Sequence, residues 1–201
     1  MAGSRVLGDV TLDLGRVGRP LVPAELFGAP MPLEVELGTG KGRFLLERAA
    51  SAPQVGFLGV ERCRKYLTMA AERVARQALA NVRLARTTAE DLLFRCLGDA
   101  SVQTVHVYFP DPWPKKRHLK RRLLGRANLA RIADVLVPGG MLLIKTDHAG
   151  YAEAIREALA LEPRLVAVGG EEPFAGLPPT HYELKFAREG RTVHAFALRR
   201  A

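Results

Sequence analysis

Residues 33–50 read LEVELGTGKGRFLLERAA, and this stretch decides the fold. Residues 33–37 read as a short strand, the glycines at 38, 40 and 42 follow at once, and residues 41–50 carry Phe44, Leu45 and Arg48 at helical spacing. A strand that runs through a tight glycine turn straight into a helix is a building unit of open α/β sheets. The alternation continues outward. Strands are expected over 55–60, 82–85, 105–109, 141–145, 165–168 and 192–198. The helix over 62–79 places Leu67, Ala70, Ala71, Val74 and Ala78 on one face. A short helix is expected over 89–97, and a longer one over 119–137 that Pro138-Gly139-Gly140 would stop. The next helix carries Tyr151, Ala154, Ile155, Ala158 and Leu159 at i, i+3, i+4, i+7 and i+8. The pattern predicts an α/β fold, a doubly wound, mostly parallel seven-stranded sheet with helices on both faces. Residues 1–32 read as an irregular lead-in, and 33–201 as a single domain.

With 201 residues, 48% of them hydrophobic, the chain can bury a real core. Thirty Lys plus Arg against 21 Asp plus Glu leave a net charge of +9, which favours an anionic partner, nucleic acid first. No apolar run approaches the roughly 20 residues that span a bilayer, and the N-terminus lacks a signal peptide's hydrophobic region, so a soluble, cytoplasmic protein without a membrane partner is expected. Cys63 and Cys96 show no CxxC or Cys/His clustering, which argues for reduced thiols. The five histidines have no ligand spacing, and no metal is expected. Monomer and homodimer stay equally open.

The glycine turn is where a nucleotide-like cofactor meets the backbone of such a sheet. Its spacing is GxGxG, which fits neither the GxGxxG of dinucleotide sites nor the GxxxxGK[ST] of phosphate loops. A turn of purely structural meaning is the alternative. Glu61 ends the second strand at an offset from Glu36 that suits a carboxylate accepting from both ribose hydroxyls; its other reading is to start the next helix. Glu36 would sit near the cofactor's charged end or simply bond the turn.

A second informative stretch is FPDPWPKKRHLKRRL, residues 109–123. Pro110, Pro112 and Pro114 forbid both ladder pairing and helix, so the chain must leave the sheet as a stiff loop that carries Asp111 to the strand's carboxyl end. Lys115, Lys116, Arg117, Lys120, Arg121 and Arg122 follow. They read either as an RNA phosphate platform or as an ordinary solvated face. Trp113 reads either as a base-stacking residue or, the favoured reading, as a loop anchor.

The GxGxG turn with its preceding acid resembles the first motif of class I methyltransferases that use S-adenosyl-L-methionine. With PDPWPKKRHLKRR at 110–122, Lys145-Thr146-Asp147, and Thr180-His181-Tyr182-Glu183, the chain resembles the bacterial tRNA (guanine-N7-)-methyltransferases from about residue 33 onward. The resemblance implies a Rossmann-like fold with a C-terminal antiparallel strand, and methylation of guanine 46 in the tRNA variable loop. It implies that Glu36, Gly38, Gly40, Glu61 and Asp111 meet S-adenosyl-L-methionine, with Asp111 also catalytic, and that Lys115, Asp147, Thr180, His181, Tyr182 and Glu183 hold the guanine. Thr88 stands where an acid or amide commonly contacts the adenine in this family, so its hydroxyl, the Ala89 backbone or Glu90 would serve instead. Asp147 also has a structural reading as a helix N-cap. On the residues alone, an RNA-binding module without catalysis and a methyltransferase of protein or small molecules remain as rivals.

Overall fold

The computed structural model of the chain describes residues 10–170 and 172–201. Among these, eight strands form one sheet: β1 Thr11–Leu12, β2 Leu33–Leu37, β3 Gly56–Val60, β4 Val82–Ala85, β5 Val102–Tyr108, β6 Leu136–Thr146, β7 Leu165–Ala167 and β8 His194–Arg200. Their order is β1-β4-β3-β2-β5-β6-β8-β7. All pairings up to β6 are parallel, and β8 runs antiparallel to both β6 and β7. This is the expected doubly wound sheet with its antiparallel C-terminal strand, plus an eighth strand. The extra strand is β1, whose two residues pair with Leu84 and Ala85. Two residues are too few to leave a period in sequence.

The helices are α1 Pro23–Phe27, α2 Arg43–Ser51, α3 Arg64–Arg76, α4 Ala89–Arg95, α5 Arg126–Val135, α6 Ala149–Leu159 and α7 His181–Arg188. Leu129 and Ile132 of α5, Tyr151 and Ile155 of α6, and Leu92 and Leu93 of α4 pack with Val35, Val105, Val107 and Ile144 in one buried cluster. Leu45, Leu46, Leu67, Ala70 and Val74 of α2 and α3 pack with Phe57 and Leu84 in another. The alternation of side chains along each strand separates the two layers.

Three expectations need correction. The helix expected over 119–137 begins only at Arg126, after a 3-10 turn over Lys116–Arg121, because the Arg122 side chain reaches back to the Pro112 carbonyl and holds the chain extended. Pro138-Gly139-Gly140 does not stop that helix but lies inside β6, where the β5–β6 register shifts. A Cβ on Gly140 would come within 2.9 Å of the Gln103 carbonyl oxygen, so this irregularity requires glycine. Finally, residues 181–188, for which the sequence pattern predicts no element, form α7.

The strand order reverses between β2 and β5, the switch point at which open α/β sheets bind ligands. Both informative stretches leave the sheet there.

Candidate functional site

The glycine turn is built to leave space on its outer side. Gly38 and Gly40 adopt φ of 87° and 55°, and a Cβ on either would meet nothing within 4 Å. Only glycine adopts such angles freely while leaving the backbone open to a ligand. The amides of Gly38 and Thr39 donate to the Val60 carbonyl at 2.9 Å each, tying the turn to the end of β3.

Glu61 completes that tie. One carboxylate oxygen accepts from the Gly40 amide at 3.0 Å, the other from the Cys63 amide at 2.6 Å. The acid therefore does the structural work of starting the segment before α3 and also stands at the mouth of the turn. Two bonds leave acceptor capacity on a carboxylate, which has about four lone-pair positions, so ribose hydroxyls remain compatible.

Glu36 lies buried at the end of β2, accepting from the Thr39 hydroxyl at 2.5 Å. Burial, and to a lesser extent the charge of Glu61, push its carboxyl up to about 7 against the opposing pull of Thr39. An acid so placed gains most from a cation brought beside it.

At the end of β4, Thr88 is the N-cap of α4, its hydroxyl oxygen accepting from the Asp91 amide at 3.1 Å. The hydroxyl proton stays available for donation, and Ala89 opens the helix with an amide that α4 does not use internally.

The Pro110–Pro114 loop is held under strain. Phe109 and Trp113 adopt φ of 52° and 41°, in the left-handed region that costs a non-glycine residue roughly 1–2 kcal/mol. Side chains fix it. Arg122 donates from Nε to the Pro112 carbonyl at 2.8 Å and lays its guanidinium 4.8 Å from the Tyr151 ring centre. Arg121 covers Trp113 at 5.0 Å, and His118 meets the same indole edge-on at 5.5 Å. Trp113 is thus an anchor of its own loop, and Arg122, expected on RNA phosphate, braces the loop instead. Lys115, Lys116, Arg117 and Lys120 are exposed and form no ion pair among the described residues. Asp111 is exposed at the loop's start; burial first, and more weakly the Asp111 charge, hold the Tyr151 phenol above its ordinary range.

The last two motifs meet each other. Asp147 accepts from Arg191 Nη1 at 3.0 Å, whereas the N-cap of α6 is its neighbour His148, whose Nδ1 accepts from the Tyr151 amide at 3.1 Å. The cap expected at Asp147 therefore falls one residue later. Thr180 and Glu183 form a reciprocal capping box at the start of α7: the Glu183 amide donates to the Thr180 hydroxyl at 3.0 Å, and the Thr180 amide to Glu183 Oε2 at 2.7 Å. The other Glu183 oxygen pairs with Lys145. Tyr182 is half exposed and packs 5.8 Å from Phe109 and 5.7 Å from Phe186, and His181 is exposed beside it. Phe109 thereby joins the proline loop to α7. Among the described residues, no ion pair joins Lys115 to this group.

Lys145 and Arg191 are the residues that sequence reasoning left without a role. Lys145 was visible only as part of Lys145-Thr146-Asp147. For α7 a local signal existed, since Thr-x-x-Glu before an apolar-periodic stretch is the capping-box pattern. Among the described residues, no cluster of His, Cys, Asp and Glu could hold a metal ion, and no helix is long and apolar enough to cross a membrane. Both cysteines are free, Cys63 exposed and Cys96 buried.

A family profile described as "Putative methyltransferase" matches residues 30–196. The tRNA (guanine-N(7)-)-methyltransferase of Mycolicibacterium paratuberculosis is 42% identical over 187 residues, covering 92% of this chain and 72% of that protein. Those of Nocardia farcinica and Halorhodospira halophila are 41% and 39% identical, covering 90% and 82% of this chain and 74% and 71% of theirs. Among solved structures, the 16S rRNA methyltransferase KamB aligns with a TM-score of 0.64 at 21% identity, covering 88% of this chain and 91% of that one. A geranyl diphosphate C-methyltransferase from Streptomyces coelicolor, solved with S-adenosyl-L-homocysteine, aligns at 0.59 and 14%, covering 89% and 74%. At such identities the structural likeness speaks to the fold alone.

Proposed function

The chain belongs to the tRNA (guanine-N7-)-methyltransferase family, and on that premise we propose that it methylates N7 of guanine 46 in the variable loop of tRNA, using S-adenosyl-L-methionine. The observation that carries the reading is the junction at the switch point. There an open glycine turn with a buried acid stands beside a braced loop that carries Asp111 and exposed cations.

The residues present fit the cofactor. Gly38 and Gly40 give backbone access, Glu61 has lone pairs left for the ribose, Thr88 and Ala89 offer a hydroxyl and an amide to the adenine, and Glu36 supplies a buried carboxyl suited to a cation. Bound there, S-adenosyl-L-methionine supplies an electrophilic methyl group on a sulfonium sulfur. Guanine N7 carries an in-plane lone pair and no proton, so the chain need provide no base. Its task is to hold N7 in line with the methyl carbon, where orientation is worth up to roughly 7–11 kcal/mol. Asp111, near the start of the strained loop, is the acid assigned to the reacting base. A carboxylate accepting from N1–H and the exocyclic amine keeps N7 electron-rich as positive charge develops on the purine, and selects guanine over adenine.

Lys115, Asp147 and Thr180 to Glu183 form the guanine side in this reading, with Asp147 oriented by Arg191 and Glu183 by Lys145. Lys116, Arg117, Lys120 and Arg121 meet RNA phosphates. Residues 33–201 act as the single methyltransferase domain, in the cytoplasm. The test is transfer of labelled methyl to unmodified tRNA, followed by mass spectrometry of mapped fragments. 7-Methylguanosine at position 46 is expected. Folded protein that binds S-adenosyl-L-homocysteine yet labels no tRNA would refute the proposal.

A further inference from the structure

A row of ionisable side chains outside the assigned site lies buried between β2, β5 and α2. Glu34, His106 and Tyr108 are 5%, 1% and 7% exposed. Arg48 of α2 grips Glu34 through Nη2 at 2.8 Å and Nε at 3.2 Å. Glu34 Oε2 lies 2.9 Å from His106 Nε2, and His106 Nδ1 lies 2.9 Å from the Tyr108 hydroxyl. Phe44, also on α2, seals the row with ring centres 4.8 Å from both His106 and Tyr108.

The partners fix where the protons are. Burial alone would raise Glu34, but its hydrogen bonds to His106 and Arg48 outweigh that and hold it below its ordinary range, as a carboxylate. Burial depresses His106 despite Glu34, leaving a neutral imidazole. A carboxylate only accepts, so the imidazole proton sits on Nε2, and Tyr108 must donate to Nδ1. Both Glu34 oxygens and both His106 nitrogens are thereby committed. The Tyr108 ring cannot swing out of its place without leaving a buried nitrogen unpaired.

Beyond Tyr108 the row continues. The Lys145 ammonium, opposite Tyr108 on β6, lies 5.5 Å from the Tyr108 ring centre and 4.8 Å from that of Phe174, and it pairs with Glu183 at the start of α7. At the other end, Arg48 belongs to the helix that the glycine turn opens. Replacing a buried ionic group by apolar residues of similar size is often neutral or stabilising, so packing gives no reason for this row to be ionic.

We propose that Tyr108, anchored by Arg48, Glu34 and His106, is a positioning residue for the guanine side: its hydroxyl bond fixes the ring, the ring seats Lys145, and Lys145 holds Glu183 in place. The proposal rests on the methyltransferase reading above. Phe at 108 keeps the ring and removes the bond. Y108F should lower kcat/KM for tRNA by about ten-fold, the effect of one ordinary hydrogen bond, while affinity for S-adenosyl-L-homocysteine stays within about two-fold. H106F should do the same. H106Q, which keeps a donor and an acceptor, should recover most of the activity. Circular dichroism at the assay temperature confirms that each variant is folded. Should H106F fail to fold, Y108F and H106Q decide. Unchanged turnover in folded Y108F overturns the proposal, as does equal loss of cofactor affinity and tRNA turnover, which is the signature of a merely structural role. Inactive wild type would instead sink the methyltransferase reading itself.

Discussion

Replacing Glu36 with glutamine probes the electrostatics of the pocket directly. Burial first, then the Glu61 charge, raise this carboxyl from 4.5 to about 7, with Thr39 opposing. Between those values the folded protein binds more protons than the unfolded chain. The group's contribution to stability is therefore complete below pH 4.5 and is lost as pH rises through about 7. A rise from 4.5 to about 7 corresponds to about 3 kcal/mol once the group is fully ionised. Glutamine is neutral throughout and keeps an oxygen to accept from Thr39. E36Q should thus match the wild type near pH 4.5 and exceed it by about 3 kcal/mol near pH 8.5, read from urea unfolding across that range. A difference that stays constant with pH would refute the reasoning. The cofactor extends the test, because a sulfonium beside Glu36 favours its charged form. Affinity for S-adenosyl-L-methionine relative to the uncharged sulfur of S-adenosyl-L-homocysteine should climb toward pH 7 in the wild type and stay flat in E36Q. A flat ratio in both proteins would detach Glu36 from the sulfonium.

Asp111→Ala should cut turnover by about a hundredfold or more while tRNA binding, measured by filter retention, stays within a few fold. Arg122→Ala removes the brace on Pro112 and should lower both Tm and kcat with the salt dependence of tRNA binding unchanged. Lys116→Ala with Lys120→Ala should do the reverse, flattening the slope of log affinity against log salt by roughly 0.7–0.9 for each phosphate no longer neutralised, at constant Tm. Gly40→Val places a branched Cβ at φ 55° in the open face of the turn and should abolish S-adenosyl-L-homocysteine binding in calorimetry while circular dichroism still reports a folded protein.

Much of this architecture was legible because it is local. Residues 33–50 declare strand, turn and helix through period and glycine alone, and the later strands and α6 do the same. What stayed hidden depends on partners distant in sequence. The basic segment after Pro114 looks helical because its residues favour helix, but Arg122 returns ten positions to Pro112 and overrides that preference. Pro138-Gly139-Gly140 looks like a stop, yet its role is set by the Gln103 carbonyl on a neighbouring strand. The alternating acids of LEVEL showed a strand but not that Glu34 is satisfied by a histidine 72 positions away.

The same distinction explains how the site divides its labour. Residues named from motifs occupy the rim: Asp111 on its loop, Lys115 in solvent, Asp147 and Glu183 each paired with a cation. In the proposed reading the groups that aim them are Arg122, Lys145, Arg191 and the His106 row, and of these only Arg191 and His106 come from stretches where no chemistry was expected. Strain makes the division necessary. Phe109 and Trp113, both left-handed without being glycine, together store roughly 2–4 kcal/mol, and such a loop persists only where its surroundings over-determine it. Arg122 on Pro112, Arg121 on Trp113, and the Phe109–Phe186 contact at 5.3 Å provide that over-determination. The loop that carries Asp111 is thus held from both ends. On the Phe109 side the hold passes through α7, the helix that presents Thr180 and Glu183, so the acid assigned to the reaction and the residues assigned to the base are set by one packing arrangement.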